Sequence, residues 1–250
     1  MDLIRLDKLV VENMGFSREY AVESIKKGFV SVNGKISTKP GLKVSVVADI
    51  NVSAQPMRYV SRGGYKLEEA LMAFGIDVTD KACVDIGASV GGFTDCLLQN
   101  GARFVAAVDC GSGQMADILR NDPRVAVFEN MNIREVDTQR FINSINGVNA
   151  EGFDLAVIDV SFISLELVLP VAASLLRQDG RLICLVKPQF EVGRKGLNKK
   201  GVVTDERLRV SALKKIESAA ASYFYSLAHT RSPFTGRDGN EEYLLAGVKK

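Results

Sequence analysis

The chain has 250 residues, of which 46% are hydrophobic and 25% are charged, a composition typical of soluble globular proteins. No apolar run reaches the roughly 18 residues that a membrane-spanning helix needs, and the N-terminus lacks the pattern of a secretory signal peptide. The formal net charge is +2, and residues 1–60 hold nine Lys/Arg against six Asp/Glu, which alone is weak evidence of a nucleic acid partner. We therefore expect a cytoplasmic protein with one domain of ordinary size and one small domain.

The first 53 residues predict a compact unit of two helices and short strands. Ser17 is placed to cap the second helix, Gly28 to end it, and Asn33-Gly34 is a strong signal for a hairpin turn. The predicted elements of this unit are helices over 3–13 and 18–27 and strands over 29–32 and 44–52. We assign residues 1–55 to this small α+β domain and residues 56–61 to a linker.

From residue 62 onward, segments typical of strands alternate with segments typical of helices. The predicted strands span 82–86, 104–108, 125–128, 155–158, 181–186, 225–231 and 243–248. The predicted helices span 66–74, 92–100, 114–119, 139–144, 165–174 and 205–222. Such alternation predicts an α/β domain over 62–250, with a Rossmann-like, mostly parallel seven-stranded sheet covered by helices on both faces.

The cysteine and histidine content argues against a metal site. Cys83, Cys96, Cys110 and Cys184 lie far apart and form no CxxC pair, and His229 is the only histidine. Three of the cysteines fall in or beside segments that we expect to be buried. We therefore predict free thiols in a reducing compartment and no bound metal.

A glycine-rich turn follows the predicted strand over 82–86. The run CVDIGASVGGF places an acidic residue at the end of a strand, then glycines, then the start of a helix. We expect the glycines to permit a tight turn and to let a ligand approach the backbone at the helix N-terminus. The spacing GxxxGG differs from the dinucleotide pattern GxGxxG and is more typical of methyltransferases, while a nicotinamide or flavin site and a turn without a ligand remain alternatives. The candidate cofactor ligands in this run are Asp85, Gly87, Ala88, Ser89, Gly91, Gly92 and Phe93.

Polar residues also follow the next three predicted strands. Asp109 is suited to accept hydrogen bonds from both ribose hydroxyls of a nucleoside, although a helix cap is an alternative. Asn132 is placed to reach an adenine, with less support, and Asp159 ends the fourth strand. Since the carboxyl ends of parallel strands meet at one edge of a sheet, these residues predict a site for a nucleoside-containing cofactor there.

Sequence runs along essentially the whole chain resemble a known family. RLDKLV, SREYA, GFVSVNG and KPG are similar to the ribosomal S4-type RNA-binding domain. YVSRGGYKLEEAL, VDIGASVGGFTD, DLAVIDVSFISL, VKPQFE and GNEEYL are similar to the FtsJ-like methyltransferase domain. In this order they resemble the hemolysin A type (TlyA) rRNA 2′-O-methyltransferases. The resemblance implies a class I methyltransferase domain, S-adenosyl-L-methionine as cofactor, and cytidine ribose of 16S and/or 23S ribosomal RNA as substrate, free or within ribosomal subunits.

The resemblance also implies a catalytic tetrad of Lys66, Asp159, Lys187 and Glu242, with the adjacent Glu241 left open as an alternative to Glu242. A lysine acts as a base only if its pKa falls from about 10.4 towards neutrality, which burial and a second ammonium favour. We expect Lys187 to be the base, Lys66 to place the ribose and lower that pKa, and the carboxylates to orient them. The alternative for each residue is an exposed, salt-bridging side chain.

Basic residues in three places are candidates for contact with RNA phosphates. We expect the loop over 189–201, which is rich in glycine and basic residues, to be flexible and to close over RNA. Any one of these side chains has the alternative of being a solvated surface charge. The candidates are Arg5, Arg18, Lys26, Lys27, Lys35 and Lys39 in the small domain, Arg62 beside two glycines, and Arg194 and Lys195 in the loop.

Three other functions stay open at this point. They are methylation of a base or of another class of RNA, a non-catalytic RNA-binding or ribosome-assembly role, and the membrane lysis that the hemolysin name implies. The lysines argue against base methylation, and the glycine turn together with the tetrad argues against a non-catalytic role. The absence of an apolar span and of a basic amphipathic segment argues against lysis.

Overall fold

The computed structural model describes residues 3–15, 17–53, 58–236 and 239–250. The N-terminal part consists of two helices and five short strands in two small sheets, ordered β1-β4 and β3-β2-β5. Its elements are β1 (Leu3–Arg5), α1 (Leu6–Met14), α2 (Arg18–Lys26), β2 (Val30–Val32), β3 (Lys35–Ile36), β4 (Lys43–Ser45) and β5 (Ile50–Val52).

The two helices close over the strands through a small apolar core. Leu6, Leu9 and Val10 of α1 pack with Ala21 and Ile25 of α2 in one buried cluster. This spacing follows the helical period, so each helix buries one apolar face against the other. The structure thus confirms a helix in each of the two segments where the sequence predicted one.

Local signals in this part were predicted correctly at the turns. The Ser17 hydroxyl accepts a hydrogen bond from the backbone N–H of Tyr20 at 3.1 Å, which satisfies one of the free donors at the start of α2. Asn33 and Gly34 have φ values of 48° and 75° and join β2 to β3, as the hairpin prediction required.

Two strand and helix predictions in this part were wrong. Leu3–Arg5 is a strand paired with β4, and the Leu3 side chain is 60% exposed, so these residues do not belong to the helix predicted over 3–13. The predicted strand over 44–52 is two strands, β4 and β5, that lie in different sheets. Val46 and Val47 form the turn between them and are exposed, so their apolar character misled the strand prediction.

The C-terminal part forms a seven-stranded sheet with the order β11-β12-β10-β9-β6-β7-β8. Its strands are β6 (Ala82–Ile86), β7 (Phe104–Val108), β8 (Val125–Phe128), β9 (Phe153–Ile158), β10 (Leu176–Val186), β11 (Phe224–Arg231) and β12 (Tyr243–Lys249). Its helices are α3 (Gly63–Ala73), α4 (Gly92–Gln99), α5 (Asp117–Arg120), α6 (Thr138–Asn143), α7 (Leu169–Leu175) and α8 (Glu206–Ala220). The predicted mostly parallel α/β architecture is confirmed.

The direction of the strands fixes where a site can form. The strands β6 to β10 are parallel to one another. β12 lies between β10 and β11 and runs antiparallel to both. The residue before β12 therefore lies at the same edge as the residues that follow β9 and β10. Both faces of the sheet are buried in apolar clusters, as expected for strands that read as continuous apolar runs.

The structure differs from the sequence prediction at several element ends. α5 begins at Asp117 rather than at 114, and α7 is shorter than predicted because a 3₁₀ turn, Leu165–Leu167, precedes it. β10 begins at Leu176, five residues earlier than expected. Its pairing with β9 is irregular between Leu176 and Arg181.

The predicted linker over 56–61 is only partly described by the structure. Residues 56 and 57 lie outside the described ranges. Tyr59 and Val60, by contrast, are buried in the same apolar cluster as α3 and α4, and the Val60 N–H donates to Asp95 at 2.8 Å. These two residues therefore pack as part of the C-terminal domain.

Three of the four cysteines are buried thiols, and Cys110 is exposed. In the part of the chain that the structure describes, no cluster of His, Cys, Asp and Glu could hold a metal ion. Within the same ranges, no helix combines the length and the apolar character that crossing a membrane requires.

Candidate active site

Two cavities adjoin at the edge of the sheet where β6 to β10 end. The first has a volume of about 320 Å³ and the second about 210 Å³. Four residues, Gly87, Ser89, Asp159 and Ser161, line both cavities. The two cavities therefore lie side by side. We call them the nucleoside cavity and the lysine cavity.

The nucleoside cavity has the lining that an adenosine group requires. Ile86, Val108, Met131 and Ile133 supply apolar walls, and the Asp109 carboxylate lies among them. Its volume falls within the range typical of small-molecule sites. These residues fit the adenosine part of S-adenosylmethionine.

Asp109 is held in place by backbone donors. It accepts hydrogen bonds from the N–H of Ser89 at 2.8 Å and of Gly111 at 2.7 Å, one on each carboxylate oxygen. An ionised carboxylate offers about four acceptor positions, so two remain for a pair of ribose hydroxyls. Ser89 also donates to Gln114 at 3.0 Å, which ties the glycine-rich turn to the loop before α5.

Asn132 also lines the nucleoside cavity, but its side chain is already engaged. Its oxygen accepts from the Arg134 N–H at 3.3 Å, and its amide donates to Glu135 at 2.5 Å. It thus caps the 3₁₀ turn Ile133–Glu135. The amide nitrogen of Asn132 carries two N–H donors, so one of them remains for the expected contact with adenine.

The glycines of the turn serve packing more than the sequence analysis expected. A Cβ on Gly91 would lie 2.3 Å from Leu119 Cδ1, and a Cβ on Gly92 would lie 2.1 Å from Ser61 Oγ. The neighbours that require these glycines are therefore protein atoms, and the expected ligand approach at Gly91 is not where the cavities lie. Gly87 has φ 87° and a Cβ there would meet the Asp159 carbonyl oxygen at 2.7 Å, so this glycine seats β9 beside the turn.

Ala88, Gly92 and Phe93 line the lysine cavity rather than the nucleoside cavity. Asp85 lines neither cavity and is fully buried. Its carboxylate accepts from the N–H and hydroxyl of Thr94 at 2.9 and 2.7 Å, which fixes the start of α4. Burial raises the pKa of Asp85 to about 7. The geometry supports a role in shaping the turn instead of the expected contact with the cofactor.

The lysine cavity is lined by Lys66, Asp159 and Lys187 together. Lys66 on α3 contacts Glu242 with 2.5 Å between Nζ and Oε2, and the two side chains are 11% and 3% exposed. Glu242 directly precedes β12, which brings it to this edge despite a separation of 176 residues from Lys66. Gln189 donates to the other Glu242 oxygen at 3.4 Å.

Lys187 and Asp159 form the second pair, with 2.6 Å between Nζ and Oδ1. They follow the neighbouring strands β10 and β9, so the sheet itself brings them together. Lys187 also donates to the Ser161 hydroxyl at 2.9 Å, and its Nζ lies 5.9 Å from the centre of the Phe190 ring. The second ammonium is thereby held by a carboxylate, a hydroxyl and an aromatic face.

The adjacent glutamates have different surroundings. Glu242 is buried against Lys66, whereas Glu241 points to Arg209 and Arg231 at 3.5 and 3.9 Å, and its side chain is 41% exposed. Glu242 contacts Lys66, which lines the lysine cavity, and Glu241 does not, so the geometry favours Glu242 over Glu241 as the fourth member of the tetrad.

Ser161 and Phe162 also line this region but were not predicted from the sequence, although both directly follow the strand end at Asp159. Phe162 is 92% exposed, has φ 64°, and packs its ring 5.1 Å from the ring of Phe190. A left-handed backbone at an exposed aromatic residue is rare and costs energy, so it points to a functional site. The signal available in the sequence was the aromatic residue itself, beside a strand-end aspartate.

The basic residues of the N-terminal domain fall into two groups. Arg5 and Arg18 both bind the buried carboxylate of Asp7, at 2.9 and 3.3 Å, and hydrogen bonds from Arg5 hold the pKa of Asp7 below its ordinary value. Two cations share one anion there, so net positive charge remains for a phosphate. The exposed group consists of Lys26, Lys27, Lys35 and Lys39.

Arg62 joins the two domains. It binds Glu19 of α2 through two hydrogen bonds of 2.9 and 3.1 Å, and it also lines the lysine cavity. A paired guanidinium is less available to RNA than the sequence analysis expected. It does, however, fix one end of α2 beside the cavity.

The basic loop over 189–201 is more ordered than expected. Arg194 and Lys195 are exposed and lie in a 3₁₀ turn, Arg194–Gly196. The end of the loop is tied by Asn240, which donates to the Gly201 carbonyl at 3.1 Å and accepts from the Val203 N–H at 2.9 Å. The expected flexible loop is thus anchored two residues before Glu242.

Comparison with known families agrees with the division of the fold. The S4 domain family matches residues 4–50, and the FtsJ-like methyltransferase family matches residues 59–249. The fold and the site therefore define a methyltransferase, dependent on S-adenosylmethionine, that follows an S4 domain.

Relatives along the full length give the particular family. The chain is 40% identical over 240 residues to the 16S/23S rRNA (cytidine-2′-O)-methyltransferase TlyA of Mycobacterium tuberculosis, covering 95% of this chain and 87% of the relative. It is 32% identical to the 23S rRNA (cytidine-2′-O)-methyltransferase TlyA of Campylobacter jejuni, covering 98% and 100%. A solved structure from Streptococcus thermophilus that carries the hemolysin name has a TM-score of 0.76 at 38% identity, covering 100% of this chain and 90% of that one. The chain belongs to the TlyA (hemolysin A) family of rRNA 2′-O-methyltransferases.

Proposed function

We propose that this chain transfers a methyl group from S-adenosylmethionine to the ribose 2′-hydroxyl of a cytidine in ribosomal RNA. The observation that carries the proposal is the lysine cavity, where Lys66, Lys187 and Asp159 line one space that shares four of its lining residues with the nucleoside cavity. The relatives in Mycobacterium tuberculosis and Campylobacter jejuni, named as cytidine-2′-O-methyltransferases of rRNA, support the choice of nucleotide.

S-adenosylmethionine supplies, when bound, an electrophilic methyl group on a sulfonium. Asp109 would hold its ribose and the apolar walls its adenine, with Asn132 at the adenine edge. Gly87 and Ser89 lie where the two cavities meet. On this proposal the methyl donor would lie on one side of the junction and the RNA hydroxyl on the other.

Lys187, after loss of its own proton, is the proposed base, and it takes up the proton that the 2′-hydroxyl releases as its oxygen accepts the methyl group. Asp159 and Ser161 fix its Nζ at the junction of the cavities, within reach of a hydroxyl in the lysine cavity. Lys66, held by Glu242, would place the ribose and stabilise negative charge that develops on the 2′-oxygen. Holding the two reactants in line supplies a large part of the acceleration, and removal of the proton supplies the rest.

Phe162 offers a surface for the target base. Its exposed side chain lines the nucleoside cavity, and its ring packs on Phe190, whose ring lies 5.9 Å from Lys187 Nζ. Stacking of a base on an aromatic ring contributes about 1–3 kcal/mol and tolerates any base. A nucleotide turned out of its RNA helix would therefore gain contact here while its ribose enters the lysine cavity.

The wider assignments follow from this reaction. Residues 1–55 would act as the RNA-binding domain and 62–250 as the methyltransferase domain, with Arg5, Arg18 and the exposed lysines on phosphates. Arg194 and Lys195 would extend this contact beside the active site. The partner is ribosomal RNA, free or within a ribosomal subunit, which places the protein in the cytoplasm.

The test is transfer of labelled methyl groups to purified ribosomal subunits, followed by digestion to nucleosides. We expect the label in 2′-O-methylcytidine, with no transfer to RNA whose target carries a 2′-deoxyribose. Label in a methylated base, or transfer to the deoxy target, would refute the proposal.

A further inference from the structure

The loops that follow β9 and β10 are connected at three levels. At the first, Asp159 and Lys187 form the ion pair of the lysine cavity, and at the second, Phe162 packs against Phe190. At the third, Glu191 binds the stretch that ends the first loop. The side chains assigned to the reaction lie at the first two levels. The third level contains none of them and consists of hydrogen bonds between the two loops.

Glu191 is the most heavily engaged residue of this third level. Its side chain is 1% exposed, and its carboxylate accepts from the Ser164 hydroxyl at 2.6 Å and from the Leu165 N–H at 2.9 Å. Lys215 of α8 donates to it at 3.2 Å. One buried carboxylate therefore joins three separate segments of the chain.

The loop that Glu191 holds contains strained backbone. Phe162 has φ 64°, which bulky residues rarely adopt, and its side chain is almost fully exposed. Such a conformation persists only when surrounding contacts hold it. The hydrogen bonds from Ser164 and Leu165 to Glu191 come two and three residues later, so they fix the end of the strained segment.

We propose that Glu191 is a positioning residue for methyl transfer. It lines neither cavity and touches no reacting atom, but it sets the separation of the loops that carry Asp159, Phe162 and Lys187. This inference rests on the proposed function for its catalytic readout. A displacement of about 1 Å in a reacting group can cost about 100-fold in rate, so loosening these loops should lower turnover even when S-adenosylmethionine saturates the site.

The experiment compares Glu191→Gln with Asp154→Asn in the full chain. Asp154 is a matched control because it also accepts a backbone N–H, from Ala82 at 2.9 Å, and a cation, Arg177 at 2.8 Å. It lies near the opposite end of the same strand, β9, far from both cavities. Both substitutions remove one charge from a bonded carboxylate.

For Glu191→Gln we expect kcat on ribosomal subunits, measured at saturating S-adenosylmethionine, to fall roughly tenfold or more. The Kd for the cofactor should rise by a smaller factor, because Phe162 and Ile163 also line the nucleoside cavity. Asp154→Asn should leave kcat unchanged even if it lowers the melting temperature as much. Ser164→Ala, which removes only one of the bonds, should give a smaller loss of kcat. Equal kcat in wild type and Glu191→Gln would overturn the proposal.

A second readout does not depend on activity. The chain contains no tryptophan, so Phe162→Trp introduces a single reporter at the tip of the strained loop. In this background Glu191→Gln should lower the fluorescence anisotropy of the indole, and Asp154→Asn should leave it unchanged. Unchanged anisotropy in Glu191→Gln would show that Glu191 does not hold the loop.

The two readouts also separate the two proposals. If the wild-type chain transfers no methyl group to ribosomal RNA, the proposed function fails, whereas the anisotropy still tests what Glu191 positions. If wild type is active and Glu191→Gln folds but changes neither kcat nor anisotropy, only the inference about Glu191 fails. Should Glu191→Gln not fold, Ser164→Ala carries the same comparison.

Discussion

Lysines in the two domains occupy opposite environments. Lys26, Lys27, Lys35 and Lys39 of the N-terminal domain are exposed, whereas the side chains of Lys66 and Lys187 are only 11% and 12% exposed and each lies against a carboxylate. Exposed charges act through water and salt, and each contributes little. Buried pairs depend on both partners, because removal of one leaves a charge without compensation. On the proposed function, the same type of side chain would attract RNA in one domain and take part in the reaction in the other.

Among the substitutions that test this difference, we expect Lys187→Ala to have the largest effect. We expect methyl transfer to fall by about 100- to 10,000-fold, the range that a general base contributes. The Kd for S-adenosylmethionine should stay nearly unchanged, since Lys187 does not line the nucleoside cavity. Single-turnover methylation and calorimetry measure the two quantities. Lys214→Ala, an exposed lysine on α8, is the matched control, and normal turnover by Lys187→Ala would remove the base assignment.

Glu241 and Glu242 allow a half-exposed ion pair and a buried ion pair to be compared in adjacent residues. Glu242→Gln should reduce both turnover and stability, the latter by about 3–5 kcal/mol, because it leaves Lys66 buried without its anion. Glu241→Gln removes a half-exposed partner of two arginines and should cost about 1 kcal/mol or less. Urea unfolding and initial rates decide the matter, and equal effects of the two substitutions would contradict the geometry.

Asp85 tests what burial does to a carboxylate that faces Thr94 instead of a lysine. Its pKa is raised from 3.8 to about 7, a difference that corresponds to roughly 4 kcal/mol. Below pH 7 the folded chain binds a proton that the unfolded chain binds only near pH 4, so this site favours folding increasingly as the pH falls from about 7 towards 4. The advantage of Asp85→Asn in unfolding free energy should therefore be larger at pH 8 than at pH 5. An equal difference at both pH values would show that Asp85 titrates normally.

Substitutions of the exposed lysines should give the smallest effects. Lys35→Gln and Lys39→Gln should each weaken RNA binding and lower the slope of log affinity against log salt by about 1 if a phosphate contact is lost. The kcat at saturating RNA should not change. Filter binding across a salt series measures the slope. A loss of kcat without loss of affinity would place these lysines in the reaction instead.

The sequence predicted some elements to the residue and missed others for identifiable reasons. β6, β7 and β8 were predicted with their observed bounds because each is a short apolar run between turn signals. The strand predicted over 44–52 failed because Val46 and Val47 are apolar yet form an exposed turn. Local composition does not reveal which apolar residues the tertiary structure buries.

The residues of the site likewise fall into those that the sequence pattern predicted and those that it did not. Asp109, Asp159 and Lys187 follow parallel strands, so the pattern of strand ends was enough to bring them to one edge. The partnership of Lys66 with Glu242 spans 176 residues and depends on the antiparallel direction of β12, which no local pattern announced. For that pair only the family resemblance gave the answer. The packing roles of Gly91 and Gly92, likewise, depend on neighbours distant in the chain.

On the proposed function, Lys66 and Lys187 both face the position from which the methyl group is transferred. A crystal structure with S-adenosylhomocysteine bound tests it most directly. We predict adenosine against Asp109, with the sulfur at the junction lined by Asp159 and Ser161 and directed towards Lys66 and Lys187. A sulfur directed away from the lysine cavity, or adenosine bound elsewhere, would contradict this account.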